Sequence, residues 1–275
     1  MAFYVASLVK ENSVSARFAK FAVVLTFFCG AMVCAQPTLA QQKPASSAHW
    51  AYDGPEGPEH WGDLDPSFAA CKSGAHQSPI DIKDAKLSEL APIQFNYKLV
   101  PLKIINNGHT VRVNYEPGSS ITVNGISLPL TQFHFHHPSE TEIDGQKYDM
   151  ELHLVHEDPA AGRAAVVAIL IKSGNENALL RDLLSHVPPK IGEEVEHKKI
   201  VINAADFLPA DQSYYVFDGS LTAPPCSEPV KWYVLKNAIE ASPSQIAAFA
   251  KLYPNNARPA QPLDGREVLE SNFHK

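Results

Sequence analysis

From Ile93 to Lys172 the chain is a succession of short runs that alternate or run apolar: 93–97, 102–106, 110–115, 120–124, 131–137, 147–157 and 164–172. An eighth, 230–236, follows later. A period of two presents one face of a strand to a core and the other to different surroundings. Asn107-Gly108, Asn124-Gly125 and Asp144-Gly145 separate several of the runs, and such pairs accept the positive φ of a tight hairpin. Gaps this short favour antiparallel pairing. Helical patterns are fewer. Residues 175–187 place Leu179, Leu180, Leu183 and Leu184 on one face. Residues 242–253 open with Ser242 as N-cap, Pro243 in the first helical position and Gln245 completing a capping box. The pattern predicts a mainly β (α+β) domain with short helices at the margins of an antiparallel sheet. No composition break or repeat interrupts 49–275, so one domain is expected there, after a linker at 41–48.

The first forty residues read differently. Lys10, Arg17 and Lys20 precede an apolar run from Phe21 to Ala35, and the small residues of "AQPTLA" follow. That is the order of a secretory signal, with cleavage after Ala35 or Ala40. The run is shorter than the roughly 18 apolar residues of a membrane span. Cys34 lacks the Leu-rich context of a lipidation site. A periplasmic or secreted product is expected, with no membrane association after cleavage. Residues 1–40 hold three basic and one acidic residue, so 20 Lys+Arg then face 29 Asp+Glu, a net charge of −9. Such a surface offers nothing to nucleic acid. Cys29 and Cys34 leave with the signal, and Cys71 and Cys226 remain. Two cysteines in an exported chain are more often bridged than free.

"TQFHFHHPSE", 131–140, puts three histidines in four residues. On a strand, Gln132, His134 and His136 share one face, and Phe133, Phe135 and His137 the other. Side chains two residues apart start about 6–7 Å from each other, so His134 and His136 can converge on one metal. "ELHLVH", 151–156, puts Glu151, His153 and Val155 on one face. If the Asp144-Gly145 turn folds the two strands together, His153 meets the pair, while His137 and His156 point away. Gln132 and Glu151, each two residues before a histidine, are natural acceptors for the second ring N–H of a ligand. Three neutral nitrogens leave an open coordination position, as in catalytic zinc sites, although copper or nickel would accept the same set.

"GPEHWGDL", "QSPIDI", "NNGHTVRV", "QFHFHHPSE", "ELHLVH", "GSLTAPPC" and "RPAQPLDGR" follow one another along the chain. Together they resemble the α-class carbonic anhydrases of the exported bacterial type, over residues 52–275. The resemblance implies a single domain around a large, twisted, mostly antiparallel β-sheet. It implies reversible hydration of carbon dioxide to bicarbonate and a proton, by attack of a zinc-bound hydroxide. It assigns Zn²⁺ to His134, His136 and His153, orientation of the nucleophile to Thr222, and Thr222's acceptor to Glu140. His109 takes the proton-shuttle role. Gln132 and Glu151 support the ligands. Val155, Val166, Leu221, Val230 and Trp232 form the apolar substrate pocket, and Cys71 pairs with Cys226. The partners it implies are small molecules, and nothing chooses between monomer and homodimer.

The chain departs from the commonest family pattern at Ala223, where many members have a polar residue. It also departs at Thr141 and Phe217, which imply a joint loss of polar partners beneath the site. Three rival readings follow from the same residues. A zinc ester hydrolase would use the same nucleophile, and ester cleavage is expected as a side activity. A non-catalytic binding module would have lost a zinc histidine, and all three are kept. A metal store would not need Thr222.

Overall fold

The structure is a computed structural model and describes residues 48–273. The expected secretory signal and all of the expected linker but Ala48 lie outside the described residues. Two short helices come first, α1 (Trp61–Leu64) and α2 (Ala70–Ser73). Strands then dominate: β1 (Asp81–Ile82), β2 (Lys86–Ser88), β3 (Gln94–Asn96), β4 (Val100–Asn106), β5 (Val111–Asn114), β6 (Ser120–Val123), β7 (Ile126–His136), β8 (Glu142–Ile143), β9 (Met150–Asp158) and β10 (Arg163–Ser173). Helix α3 (Ala178–Leu184) and strands β11 (Glu194–Ile202), β12 (Tyr214–Gly219) and β13 (Val230–Ala241) follow. Helix α4 (Pro243–Leu252) and β14 (Leu269–Ser271) close the chain.

Twelve strands form one sheet, ordered β11-β4-β5-β7-β9-β10-β13-β12-β14-β2, with β6 joining β7 to β3. Pairing is antiparallel except between β10 and β13 and between β14 and β2. The Asn124-Gly125 turn joins β6 to β7, and both of its residues adopt positive φ. Asp144-Gly145 does the same within the excursion that returns β9 alongside β7. The capping box of α4 forms as its sequence predicts, Ser242 accepting from Gln245. Strands β11 and β12 carry no clear period-two signal. Most of β11 is exposed at the sheet edge, and its charged residues need no apolar alternation. Burial along β12 does not alternate.

The central strands are covered on both faces. Every residue of β9 from Met150 to His156 is buried. One face feeds the main core, where Phe133, Phe135, Leu152 and Leu154 pack with Val113 and Phe207. The other face holds a smaller apolar cluster that includes Val155, Val166, Val230 and Trp232. Cys71 and Cys226 are bonded, with Cα atoms 5.0 Å apart across 155 positions of sequence. The bond ties α2 to the loop between β12 and β13. Gly219, which ends β12, packs so closely that a Cβ would lie 2.1 Å from Ser78 Oγ and 2.8 Å from Trp232. Among the described residues no helix is long and apolar enough to cross a membrane.

Candidate metal centre

The antiparallel register of β7 and β9 sets His134 opposite His153 and His136 opposite Glu151. Opposed residues share a face, so three imidazoles meet on the side of the sheet away from Phe133 and Phe135. Their ring centroids are 5.0 Å (His134 to His136), 5.3 Å (His134 to His153) and 4.5 Å (His136 to His153) apart. One nitrogen from each lies within 4.8 Å of the other two.

Each ring has its other nitrogen engaged. His134 Nδ1 is 2.8 Å from Gln132 Oε1, His136 Nδ1 is 2.7 Å from the Asn256 carbonyl, and His153 Nε2 is 3.0 Å from Glu151 Oε1. Nε2 of His134, Nε2 of His136 and Nδ1 of His153 are left to converge. His136 Nε2 is buried without a hydrogen bond, an unmet acceptor where a cation would sit. Burial, then the neighbouring His136, His153 and Arg112, push His134 well below the usual imidazole range, and burial lowers His136 as well. Neutral rings offer the lone pairs a metal requires. The donor set fits zinc.

Two buried acids stand beneath the rings. Burial alone would raise Glu151, yet His153 and donors from Thr141 hold it at about 2. Glu151 accepts from the Thr141 hydroxyl at 2.8 Å and from the Thr141 and Glu140 N–H groups. Thr141 therefore keeps a polar role, contrary to the expectation of a joint loss with Phe217. Phe217 instead stacks on Trp232, with centroids 6.1 Å apart. Burial pushes Glu140 up to about 7, against the pull of His153, the Thr222 hydroxyl and the Arg258 N–H. That N–H donates to Glu140 Oε1 at 2.8 Å, while Oε2 is buried with no well-aligned partner.

The three histidines, Gln132, Thr222, Ala223 and His109 line a cavity of about 300 Å³. Val155, Val166, Leu221 and Trp232 supply its apolar wall. Val230 does not line it. This residue is 2% exposed and packs in the same apolar cluster as Val155, Val166 and Trp232. His109 lies in the cavity with its ring flat on Trp50, at 3.7 Å and 6°. Burial, then the nearby His49, lower its pKa.

The rings that alternation turns away are indeed elsewhere. His137 Nδ1 is 3.0 Å from the Pro254 carbonyl, and His156 is fully buried beside Tyr97. Sequence reasoning misses Asn256 and Arg258. Both reach the site through main-chain atoms, which leave no side-chain signature, and the Asn256 side-chain amide also donates to the His109 and Phe135 carbonyls and accepts from the His137 N–H. Arg258 itself is buried, and its guanidinium bonds Gln77, Ser78 and Cys71.

A family model described as eukaryotic-type carbonic anhydrase matches residues 56–272. A carbonic anhydrase of Nostoc sp. is 46% identical over 232 residues, covering 82% of this chain and 88% of the relative. Among solved structures, a hyperthermostable carbonic anhydrase from an active hydrothermal vent chimney is 44% identical. It superposes with a TM-score of 0.78 over 82% of this chain and all of that one. The α-carbonic anhydrase of Thermovibrio ammonificans, in complex with the inhibitor sulfanilamide, has the same TM-score and coverage at 41% identity.

Proposed function

We propose, from the premise that the chain belongs to the eukaryotic-type (α) carbonic anhydrase family, that it reversibly hydrates carbon dioxide with His134, His136 and His153 holding one zinc ion. The observation that carries this reading is the convergence of three nitrogens within 4.8 Å beside an apolar wall. Zinc, when bound, lowers the pKa of water and so supplies a hydroxide nucleophile near neutral pH.

The chain's residues do the rest. Thr222 has one hydroxyl hydrogen. When that hydrogen goes to ionised Glu140, the oxygen lone pair is left to accept from the nucleophile and fixes where its own lone pair points. A bound dication favours the ionised form of Glu140 against its burial. Gln132, Glu151 and the Asn256 carbonyl hold the three rings in the tautomers that face the metal. Val155, Val166, Leu221 and Trp232 receive carbon dioxide, a neutral molecule and a weak hydrogen-bond acceptor that gains little from polar walls. His109 takes the proton outward. Release from a group of pKa near 7 directly to water is held to roughly 10³ s⁻¹ by the diffusion-limited return step. An imidazole relay lifts that limit.

Export through residues 1–40, a linker at 41–48 and a catalytic domain over 49–275 belong to the same reading, as does a minor activity on activated esters. Carbon dioxide hydration by purified protein, measured before and after chelation and again after zinc is returned, tests it. Hydration lost on chelation and restored by zinc is expected. Hydration that survives complete zinc removal, or is absent from the zinc-loaded protein, overturns it.

A further inference from the structure

Arg112 stands on β5 directly opposite His134 of β7. Opposed residues in an antiparallel pair share a face, and Arg112 indeed lines the histidine cavity. It has no hydrogen-bond or ion-pair partner among the described residues, and its Nε is buried without one. The other half-buried or buried arginines have partners at their guanidinium groups, although Arg258 Nε is, like Arg112 Nε, buried without one. Arg258 bonds Gln77, Ser78 and Cys71, and Arg266 bonds the carbonyls of Leu263, Asp218 and Pro262. The acid in the same cavity wall, Glu157, accepts from the Thr131 hydroxyl and makes no ion pair with Arg112. An unpaired guanidinium in a partly desolvated wall carries a cost that an anion would offset.

We propose that Arg112 is the residue by which this cavity recognises bicarbonate. The inference rests on the hydration reading. Of the two carbon species, carbon dioxide is neutral and bicarbonate is a planar monoanion whose oxygens match the guanidinium fork. A fixed cation in the wall therefore separates them by charge: it retains bicarbonate and is nearly indifferent to carbon dioxide. The overall equilibrium constrains how this is felt, because kcat/KM for hydration and for dehydration must change by one common factor. Ground-state capture of bicarbonate instead shows in the split between KM and kcat, and in inhibition of hydration by bicarbonate.

The test compares zinc-loaded wild type, Arg112→Gln and Arg112→Lys at constant ionic strength. Arg112→Gln should raise KM for bicarbonate, and the bicarbonate concentration that half-inhibits hydration, by about tenfold, the scale of one charge-assisted hydrogen bond shared with water. KM for carbon dioxide should move far less, and Arg112→Lys should recover part of the loss. Thermal unfolding with added sodium bicarbonate gives a readout independent of turnover: wild type should gain more in Tm than Arg112→Gln. A wild type that fails to hydrate carbon dioxide would remove the hydration reading, and the bicarbonate-dependent Tm difference would still decide the role of Arg112. Equal inhibition constants and equal Tm gains in wild type and Arg112→Gln overturn the proposal.

Discussion

His156 offers a way to write the protein's response to acid as a number. It sits on β9, on the face opposite His153, fully buried, with Nε2 2.9 Å from the Tyr97 hydroxyl. Burial pushes its pKa from the ordinary 6.5 down to about 3, and the carbonyls of Leu154 and Ala165 recover only part of the shift. The unfolded chain thus binds a proton near pH 6.5, and the folded chain refuses it until about pH 3. Stability from the neutral ring is fully present above 6.5, declines as pH falls below that value, and is gone below about 3. Between pH 7 and pH 4.5 the difference in protonation amounts to about 2.5 kcal/mol, from pKa values of 6.5 and about 3. His156→Gln keeps an acceptor for Tyr97 and removes the titration. Urea unfolding at both pH values, followed by tryptophan fluorescence, should show wild type losing about 2.5 kcal/mol more than the variant on acidification. The substitution has its own cost at pH 7, which the double difference cancels. Loss of zinc at low pH is common to both proteins and cancels too. Profiles parallel to within about 0.5 kcal/mol would refute the reasoning, since a freely titrating His156 would leave no such difference.

The remaining expectations concern the site. His134→Ala, His136→Ala and His153→Ala should each lose zinc and hydration, while His137→Ala and His156→Gln keep the metal; metal analysis decides, and full zinc occupancy in His153→Ala would sink the ligand assignment. Thr222→Val should keep zinc but lose kcat/KM by roughly a hundredfold, the usual scale for removing a positioned hydrogen-bonding group, and stopped-flow hydration near the wild-type rate would count against its orienting role. His109→Ala should slow kcat in dilute buffer, leave kcat/KM much less affected, and be rescued by added imidazole; an unchanged kcat in dilute buffer would show that the proton leaves by another route. Reduction of Cys71–Cys226 opens a loop closed across 155 positions and should destabilise the fold by up to about 5 kcal/mol on the chain-entropy account; an unchanged Tm after thiol titration confirms reduction would contradict it.

The part of the site legible in the sequence is the part encoded by strand alternation. His134 and His136 differ from Phe133 and Phe135 only by the parity of their positions, and parity decides which pair enters the core. The hairpin logic around Asp144-Gly145 places His153 opposite His134 because a one-residue slip would also exchange Leu152 and Leu154 with the polar face. What alternation cannot encode is the return of the chain from far away. The Asn256 carbonyl reaches His136 across 120 positions, and the Arg258 N–H reaches Glu140 across 118. Any residue but proline supplies such an N–H, and any residue at all supplies a carbonyl. Arg112 is visible within "NNGHTVRV", but its lack of partners exists only once the fold has surrounded it. Val230 has a suitable class and strand, yet it packs in the apolar cluster with Val166 and Trp232 and is not among the residues that line the cavity.

The central strands also divide labour in a way that links the metal to stability. On β7 and β9 one face carries Phe133, Phe135, Leu152 and Leu154, each no more than 1% exposed. An equally buried opposite face would be most stable if it were apolar too. It holds Glu151, His136 and His153 instead, joined by Glu140 from the connection after β7, all no more than 2% exposed. Their desolvation is offset by a network nearly complete in hydrogen bonds. The inaccessible atoms left without a hydrogen bond are His136 Nε2 and Glu140 Oε2, one facing the expected metal and the other belonging to the acid that Thr222 approaches. Those two atoms mark where the polar face remains unstable alone. A ligand that binds the folded chain and not the unfolded one adds its binding free energy to folding. Zinc should therefore stabilise this face far more than the apolar one, because it meets a ring nitrogen that the protein itself leaves unpaired. Chelation should lower Tm in wild type, and it should do so much less in His136→Ala, where that nitrogen is gone. Equal Tm losses in the two proteins would show that the polar face does not depend on the metal.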